Sequence, residues 1–392
     1  MKCELGDVAE IVGGGTPSTS ILEYWNGEIN WYSPVEIGNQ IYVSSSQNKI
    51  TKLGLEKSSA KILPAYKTIL FTSRAGIGNT AIMTTNGATN QGFQSLVIKE
   101  KTDLYFLYSI SSKIKEMALQ IASGSTFLEI SGKSLSRLEI LVPNFEEQTK
   151  IGKFFQHLDN LITVNERELN KLKNLKKSYL EKMFPKNGSN IPELRFSGYT
   201  DAWVKYELSE LAKFSKGRGY SKSDLVKAGY PIILYGRLYT NYETTISTVT
   251  DTFVSADLNS IKSEIGDVIV PGSGETAEDI SRASTIDISG IILGGDLNII
   301  KPDKQVLDSI FLAITISNGS QQRELTKRAQ GKSVVHLHNS DLERILVYLP
   351  SKNEQTKIGN FFTKLDKVIT VNERELKKLK ELKKSYLNDM FV

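Results

Sequence analysis

The stretch Glu147–Phe184, EQTKIGKFFQHLDNLITVNERELNKLKNLKKSYLEKMF, returns almost unchanged as Glu354–Phe391, EQTKIGNFFTKLDKVITVNERELKKLKELKKSYLNDMF. A repeat whose period is about half the chain excludes a short-repeat solenoid. It implies two similar halves, each a globular body followed by one long helix.

The helical assignment rests on a seven-residue apolar frame. In the first copy the frame is Ile151, Phe155, Leu158, Ile162, Leu169, Leu172, Tyr179 and Met183, widened by Leu161 and Leu175. In the second it is Ile358, Phe362, Leu365, Ile369, Leu376, Leu379, Tyr386 and Met390. Asn144 with Glu147, and Ser351 with Glu354, read as capping boxes after Pro143 and Pro350. Pro185 stops the first copy, since proline cannot continue a helix. Lysines crowd the second half of each copy, where the macrodipole favours cations. An apolar stripe needs a partner, and the nearest is the other copy. Two helices of roughly 55 Å, at 1.5 Å per residue, can pair as an antiparallel coiled coil. One seam position is polar in both copies, Asn165 and Asn372. The expectation is divided between an amide pair near a pseudo-twofold axis, fixing register, and two solvent-facing side chains.

A chain of 392 residues exceeds the usual single-core limit, so two bodies plus connecting helices is the natural expectation. The composition, 40% hydrophobic and 24% charged, places it among soluble globular proteins. A net charge of +5 is compatible with a polyanionic partner and too mild to identify one. The single cysteine, Cys3, excludes a disulfide framework and a cysteine-based zinc site and fits a reducing cytoplasm. The opening MKCELGDVAEIV has no apolar run of signal-peptide length, and no later segment reads as a membrane span.

The organisation expected is a mixed α/β chain with a first body at 1–143, a long helix at 144–185, a linker at 186–198, a second body at 199–350 and a second long helix at 351–392. In the first body Leu5–Ile11 reads as a short helix or strand entering the Gly13–Ser20 stretch, GGGTPSTS. Ile29–Ser33, Thr68–Phe71 and Gln94–Ile98 read as strands, and Leu104–Ser123 has helical periodicity. The second body restarts alike: Lys205-Tyr206-Glu207-Leu208 matches Lys2-Cys3-Glu4-Leu5. Its strands are expected at Pro231–Tyr235, Asp267–Val270 and Gly290–Leu293, and a helix at Val306–Ser317. The interiors share little identity within a repeated frame. That pattern suggests one scaffold presenting two different binding surfaces.

No catalytic signature is legible. Gly132-Lys133-Ser134 and Gly331-Lys332-Ser333 imitate the end of a phosphate loop, but the glycine required five residues earlier is Phe127 or Thr326. His336 and His338 share a face of an expected strand without the further ligands a metal site needs. What remains is a set of amide, hydroxyl and cationic loop residues suited to phosphates and base edges. In the first body these are Arg74, Asn79, Asn90, Gln91 and Gln94. In the second they are Lys216, Arg218, Arg237, Tyr239, Asn241, Lys332, His336 and His338. Polar loops are solvated everywhere, so these residues alone do not identify DNA as the ligand.

From end to end the chain resembles the specificity subunits of type I DNA restriction–modification systems. The resemblance rests on EQTKIG and ITVNEREL in both long helices, their duplication after two variable bodies, GGGTPSTS, the Ser73–Gly78 loop and Asn90-Gln91-Gly92. In the second half it rests on Tyr220–Asp224, Tyr235–Thr240 and Ser273–Thr276. The resemblance implies two target-recognition domains joined by two long antiparallel coiled-coil helices, each domain reading one half of a split site in double-stranded DNA. It implies that the helices, through Ile151, Phe155, Leu158, Ile162, Asn165, Leu169 and Leu172 and through Ile358, Phe362, Leu365, Ile369, Asn372, Leu376 and Leu379, dock two methyltransferase subunits. Restriction/translocase subunits would join through the complex. No cofactor is expected on this chain; S-adenosylmethionine, ATP and magnesium are expected on the partner subunits. The same reading makes the chain non-catalytic, soluble and cytoplasmic. Its rivals are a coiled-coil adaptor with two protein-binding bodies, and a nuclease or methyltransferase. One departure is the lead-in Ile191–Phe196, which precedes the second body and has no counterpart before Lys2.

Overall fold

The computed structural model describes residues 1–38, 40–74, 76–124, 128–186, 188–257, 260–331 and 334–391. The chain divides into two compact units, residues 1–166 with 375–392, and residues 167–374. Each unit therefore contains one body and parts of both long helices, Phe145–Lys182 and Lys352–Met390. This division differs from the expected one, in which each helix was a separate segment.

In the first unit five strands run in the spatial order Ala9–Gly13, Gln94–Ile98, Thr68–Phe71, Thr80–Met83 and Tyr42–Val43, antiparallel except for the last pair. The second unit repeats this order with Ala212–Lys216, Leu297–Pro302, Val268–Pro271, Ser284–Ile286 and Thr245–Ile246, again parallel only in the last pair. The central strands Thr68–Phe71 and Val268–Pro271 are buried from end to end, and almost wholly apolar, because both faces of each sheet are covered. A smaller sheet flanks each: Asn48–Ile50, Trp25–Tyr32 and Gly87–Thr89 in one, and Leu225–Val226, Phe253–Val254, Tyr230–Ile233 and Ile292–Leu293 in the other. Two interiors with little sequence identity thus share one topology.

Several boundaries move. Leu5–Ile11 is both a helix, Leu5–Val8, and the start of the strand Ala9–Gly13. The periodic stretch from Leu104 breaks into the helices Leu104–Ser109 and Ser111–Ile121, and the helix expected from Val306 begins at Ser309, capped by Asp308. The triple glycine is a packing feature: a side chain on Gly14 would collide with the backbone oxygen of Asn90, and one on Gly15 with the backbone at Ser59 and Ala60.

The EQTKIG motif fastens each long helix to its body. The Gln148 amide accepts from Asp103 N at 3.0 Å and donates to Pro143 O at 3.0 Å; Gln355 accepts from Asp308 N at 2.9 Å and donates to Pro350 O and Val306 O, both at 3.0 Å. Gly152 lets the helix approach Asp103 and Phe106, and Gly359 does the same against Ile310. Phe155 and Phe362 are then fully buried. Asn144 Oδ1 accepts from Glu147 N at 3.0 Å, as a cap should. Neither expected box closes: among the described residues Glu147 accepts nothing back from Asn144 N, and Glu354 does not return to Ser351, because both of its carboxylate oxygens are held by Arg195, at 2.7 and 2.8 Å.

Within each unit the start of one long helix lies beside the end of the other, which is antiparallel packing. In the first, Phe154 meets Tyr386 edge-on at 5.1 Å, and Lys383 and Lys380 pair with Asp159 at 2.5 Å and Glu166 at 2.6 Å. In the second, Tyr179 meets Phe361 at 5.0 Å, and Lys176 and Lys173 pair with Asp366 at 2.5 Å and Glu373 at 2.7 Å. These lysines, expected only to complement helix dipoles, carry the cross-helix ion pairs. Asn165 and Asn372 are half-buried, and each amide donates to the carbonyl four residues back on its own helix, Leu161 O at 2.8 Å and Val368 O at 2.9 Å.

Candidate functional site

One end of each five-stranded sheet gathers the turns that carry the polar residues singled out above. In the first unit the register sets Gly13 opposite Gln94, and the loop between Thr68–Phe71 and Thr80–Met83 closes over the same end. Ser73 N donates to Gly92 O at 2.7 Å and Ile130 N to Ser73 O at 3.1 Å, drawing three separate loops together. Asn90 Oδ1 folds its own turn by accepting from Gly92 N at 2.8 Å. The Arg74 guanidinium donates to Gln91 O at 3.1 Å and lies 3.4 Å from Glu129 while its side chain stays 45% exposed, so an anion can compete for its remaining donors. Gln91 is exposed; Gln94 and Asn79 are half-buried, and the Asn79 amide oxygen accepts from Lys115 Nζ at 3.3 Å. Arg74, Asn90, Gln91 and Gln94 therefore form one rim, with Asn79 at the far side of the same loop.

The second unit builds its rim on the same backbone plan. Lys216 stands opposite Asn298, as Gly13 does opposite Gln94. Gly272 N donates to Asp296 O at 2.6 Å and Leu337 N to Gly272 O at 2.9 Å. Ser273 pairs with His336, and the imidazoles of His336 and His338 stack at 6.5 Å with 4° between their planes. Both histidines are exposed, as are Lys216 and Arg218. Tyr239 reaches the same place, since its ring lies 3.7 Å from where a side chain on Gly274 would begin. His338 does not extend the strand as expected; it caps the helix Asn339–Glu343, as Ser131 caps Gly132–Ser136. Gly132 thus opens a helix, whereas of the second Gly-Lys-Ser triplet only Gly331 lies within the described residues. Lys332 lies outside the described residues.

Arg237 departs from its expected role. It is 6% exposed, with Nε 3.0 Å from Asp251 Oδ1 and Nη2 2.8 Å from Glu243 Oε2, and Asn241 donates to the same Asp251 at 2.9 Å. Burial opposes ionisation of Asp251, but Asn241 and Arg237 outweigh it and hold the carboxyl below its ordinary range. Arg237 and Asn241 thus brace the loop that presents Tyr239. Sequence reasoning missed Glu129 and Asp296, which share the two rims with the basic residues, and Asn298, fully buried at the sheet end with its amide donating to Leu337 O at 2.9 Å. Acidic and amide side chains in variable loops carry no spacing that marks them.

The helix residues expected to dock partners are mostly turned inward. Phe155, Leu158, Ile162 and Leu169, and Ile358, Phe362, Ile369 and Leu376, are buried; Ile151, Leu172, Leu365 and Leu379 are partly so. Tyr105 donates to Asp159 at 2.9 Å, and burial, reinforced by that carboxylate, pushes the Tyr105 hydroxyl well above its usual range. The apolar side chains left outside are a different set, repeated in both copies: Leu161, Val164 and Leu175, and Val368, Val371 and Leu382, all 39–50% exposed.

Among the described residues no group of three or more His, Cys, Asp or Glu is placed to hold a metal ion, and no helix is long and apolar enough to cross a membrane.

The chain is similar to known proteins in both halves. It is 38% identical over 173 residues to the type I restriction enzyme MjaIX specificity subunit of Methanocaldococcus jannaschii, covering 43% of this chain and 40% of that one. It is 30% identical over 164 residues to the EcoR124I/EcoR124II specificity subunit of Escherichia coli, covering 40% of each. The matched part is thus about two-fifths of the length of either relative. The crystal structure of the S subunit of a type I restriction-modification system from M. genitalium shares the fold with a TM-score of 0.66, at 16% identity, over 100% of this chain and 96% of that one. The family described as the type I restriction modification DNA specificity domain matches residues 1–174 and again residues 200–381. With two matches that together take in most of its length, the chain belongs to that family.

Proposed function

We propose that this chain is the DNA-reading subunit of a type I restriction–modification complex, each body recognising one half of a bipartite duplex site. The observation that carries this reading is the contrast inside the repeat: one sheet topology, built twice, ends in two rims whose side chains differ. One rim offers Arg74, Asn90, Gln91 and Gln94; the other offers Lys216, Arg218, Tyr239, His336 and His338. Cations and amides of this kind hold phosphates and read base edges, and a different set on each rim would read a different half-site. The chain supplies recognition and its partners the chemistry, so S-adenosylmethionine, ATP and magnesium belong on the methyltransferase and restriction/translocase subunits. Two methyltransferase subunits dock on the exposed helix positions Leu161, Val164, Val368 and Val371, rather than on the inward-facing seam.

The deciding experiment replaces residues 1–143 with the corresponding body of a relative and maps methylated sites in cells carrying the complete system. One half-site should change and the other stay. If both half-sites change, or neither, the assignment of one half-site to each body fails.

A further inference from the structure

The turn that leaves the longest strand of the small sheet is built twice, with different tips. Tyr32 stands opposite Thr89 in a parallel pair, and Ile233 stands opposite Leu293 in the same way. Asn90 N donates to Tyr32 O at 3.1 Å, and Gly294 N to Ile233 O at 3.0 Å. Each chain then closes a tight turn: Glu36 N donates to Ser33 O at 3.1 Å, and Arg237 N to Leu234 O at 3.0 Å. Position by position, Glu36 therefore corresponds to Arg237, and Val35 to Gly236.

The two turns are braced by opposite charges. The Glu36 carboxylate accepts from Ser33 N at 2.8 Å, Ser33 Oγ at 2.8 Å and Gln47 N at 2.7 Å, while Arg237 holds Asp251 and Glu243. The tips are unlike. Gly236 presents no side chain, and the Tyr239 hydroxyl lies 3.4 Å from where one would begin. Val35 presents an apolar side chain that is 87% exposed. Pro34 and the Glu36 brace fix its backbone, and a β-branched side chain has little rotamer freedom, so the valine is held outward. The turn also belongs to the first rim. Pro34 packs on Gly92, whose side chain would begin 2.6 Å from Pro34 Cγ, and the carbonyl of the adjoining Gln91 accepts from Arg74. A rigid apolar tip thus stands beside an amide and a guanidinium suited to base edges. The apolar group that base edges offer in the major groove is the C5-methyl of thymine.

We propose that Val35 is a specificity-determining contact that meets a thymine methyl group in the major groove of the half-site read by the first body. The inference rests on the DNA-reading role proposed above and adds a chemical requirement to it. That half-site contains at least one A·T pair whose methyl group the protein senses. The second body, with glycine at the equivalent position, lacks this contact.

The test uses the full chain assembled with its methyltransferase subunits, and a duplex carrying the bipartite site mapped from methylated DNA, its first half-site assigned by exchange of residues 1–143. Each thymine of that half-site is replaced in turn by deoxyuridine, which removes only the methyl group. One replacement should weaken binding about 4-fold, the effect of losing one buried methyl-sized group. Val35→Ala should weaken binding to the unmodified duplex and remove the sensitivity, so that the two duplexes bind equally to within about 2-fold. Replacements in the second half-site should act alike on the parent and on Val35→Ala. A first half-site without thymine overturns the contact and leaves the DNA-reading role standing. So does a deoxyuridine effect that persists in Val35→Ala, or none at any thymine. Absence of sequence-specific binding by the assembled complex overturns the DNA-reading role itself, and the contact with it.

Discussion

Glu147 and Glu354 hold the same position of the same motif, one in water and one beneath Arg195. The difference shows how little a repeated motif fixes by itself. Its local duties are served in both copies: the glutamine ties helix to body, the glycine admits close approach, and the phenylalanine fills the core. What the glutamate does depends on whether a distant segment arrives. The sharpest test of that contrast is removal of each carboxylate. Glu354→Ala would strand Arg195, whose side chain is only 12% exposed, and should cost about 3–5 kcal/mol. Glu147→Ala should stay within about 0.5 kcal/mol. Urea unfolding of both variants decides it, and equal losses would mean that the glutamates share one role after all.

The glutamines should behave in the opposite way, as equals. Each buried amide bridges the long helix and the loop that enters the helix Leu104–Ser109 or Ser309–Ile316, so Gln148→Leu and Gln355→Leu should each leave backbone groups unpaired at about 2–3 kcal/mol. Hydrogen exchange would locate each loss in its own unit. A large effect in one copy and none in the other would break the claim that the frame is energetically the same twice.

The two rims offer the next comparison. Arg74→Ala should weaken binding to duplex DNA by about 1–3 kcal/mol and leave thermal stability nearly unchanged, because its side chain is 45% exposed. Arg237→Ala should do the reverse. Asp251 and Glu243 would lose their shared partner, destabilising the second unit by about 1–2 kcal/mol, with each acid already about two-fifths exposed and so partly screened. Any loss of DNA binding would then follow the loop that carries Tyr239. Calorimetry and salt-dependent binding curves on both variants separate the roles; full stability in Arg237→Ala would return it to the reading surface.

Sequence alone yielded the two long helices, the strands Thr68–Phe71 and Gln94–Ile98 and the polar rims, because periodicity and turn chemistry are local properties. It did not yield the shared topology of the two interiors. Sheet order is set by pairings across many tens of residues, such as Gly13 with Gln94, and the side chains there have diverged. It also misplaced Arg237. An arginine in a tyrosine-bearing loop looks the same on paper whether it faces solvent or two carboxylates. The helix faces are only partly legible for a related reason: a heptad frame finds the buried stripe and does not mark the apolar side chains that the stripe leaves outside, Leu161, Val164, Val368 and Val371.

The smallest effect is expected at the polar seam positions. A buried amide pair would lose about 1–3 kcal/mol when one member is removed. Each amide here instead returns to its own helix, Asn165 to Leu161 O and Asn372 to Val368 O, and bonding to a carbonyl four residues back adds little to a helix. Alanine is the better helix former by several tenths of a kcal/mol. Asn165→Ala and Asn372→Ala should therefore be neutral to slightly stabilising, and the double variant should equal the sum of the singles to within about 0.5 kcal/mol. A double-mutant cycle in urea measures the difference directly. A coupling of 1 kcal/mol or more (about the value of one buried hydrogen bond) would restore the amide pair as a register device and refute the own-helix assignment.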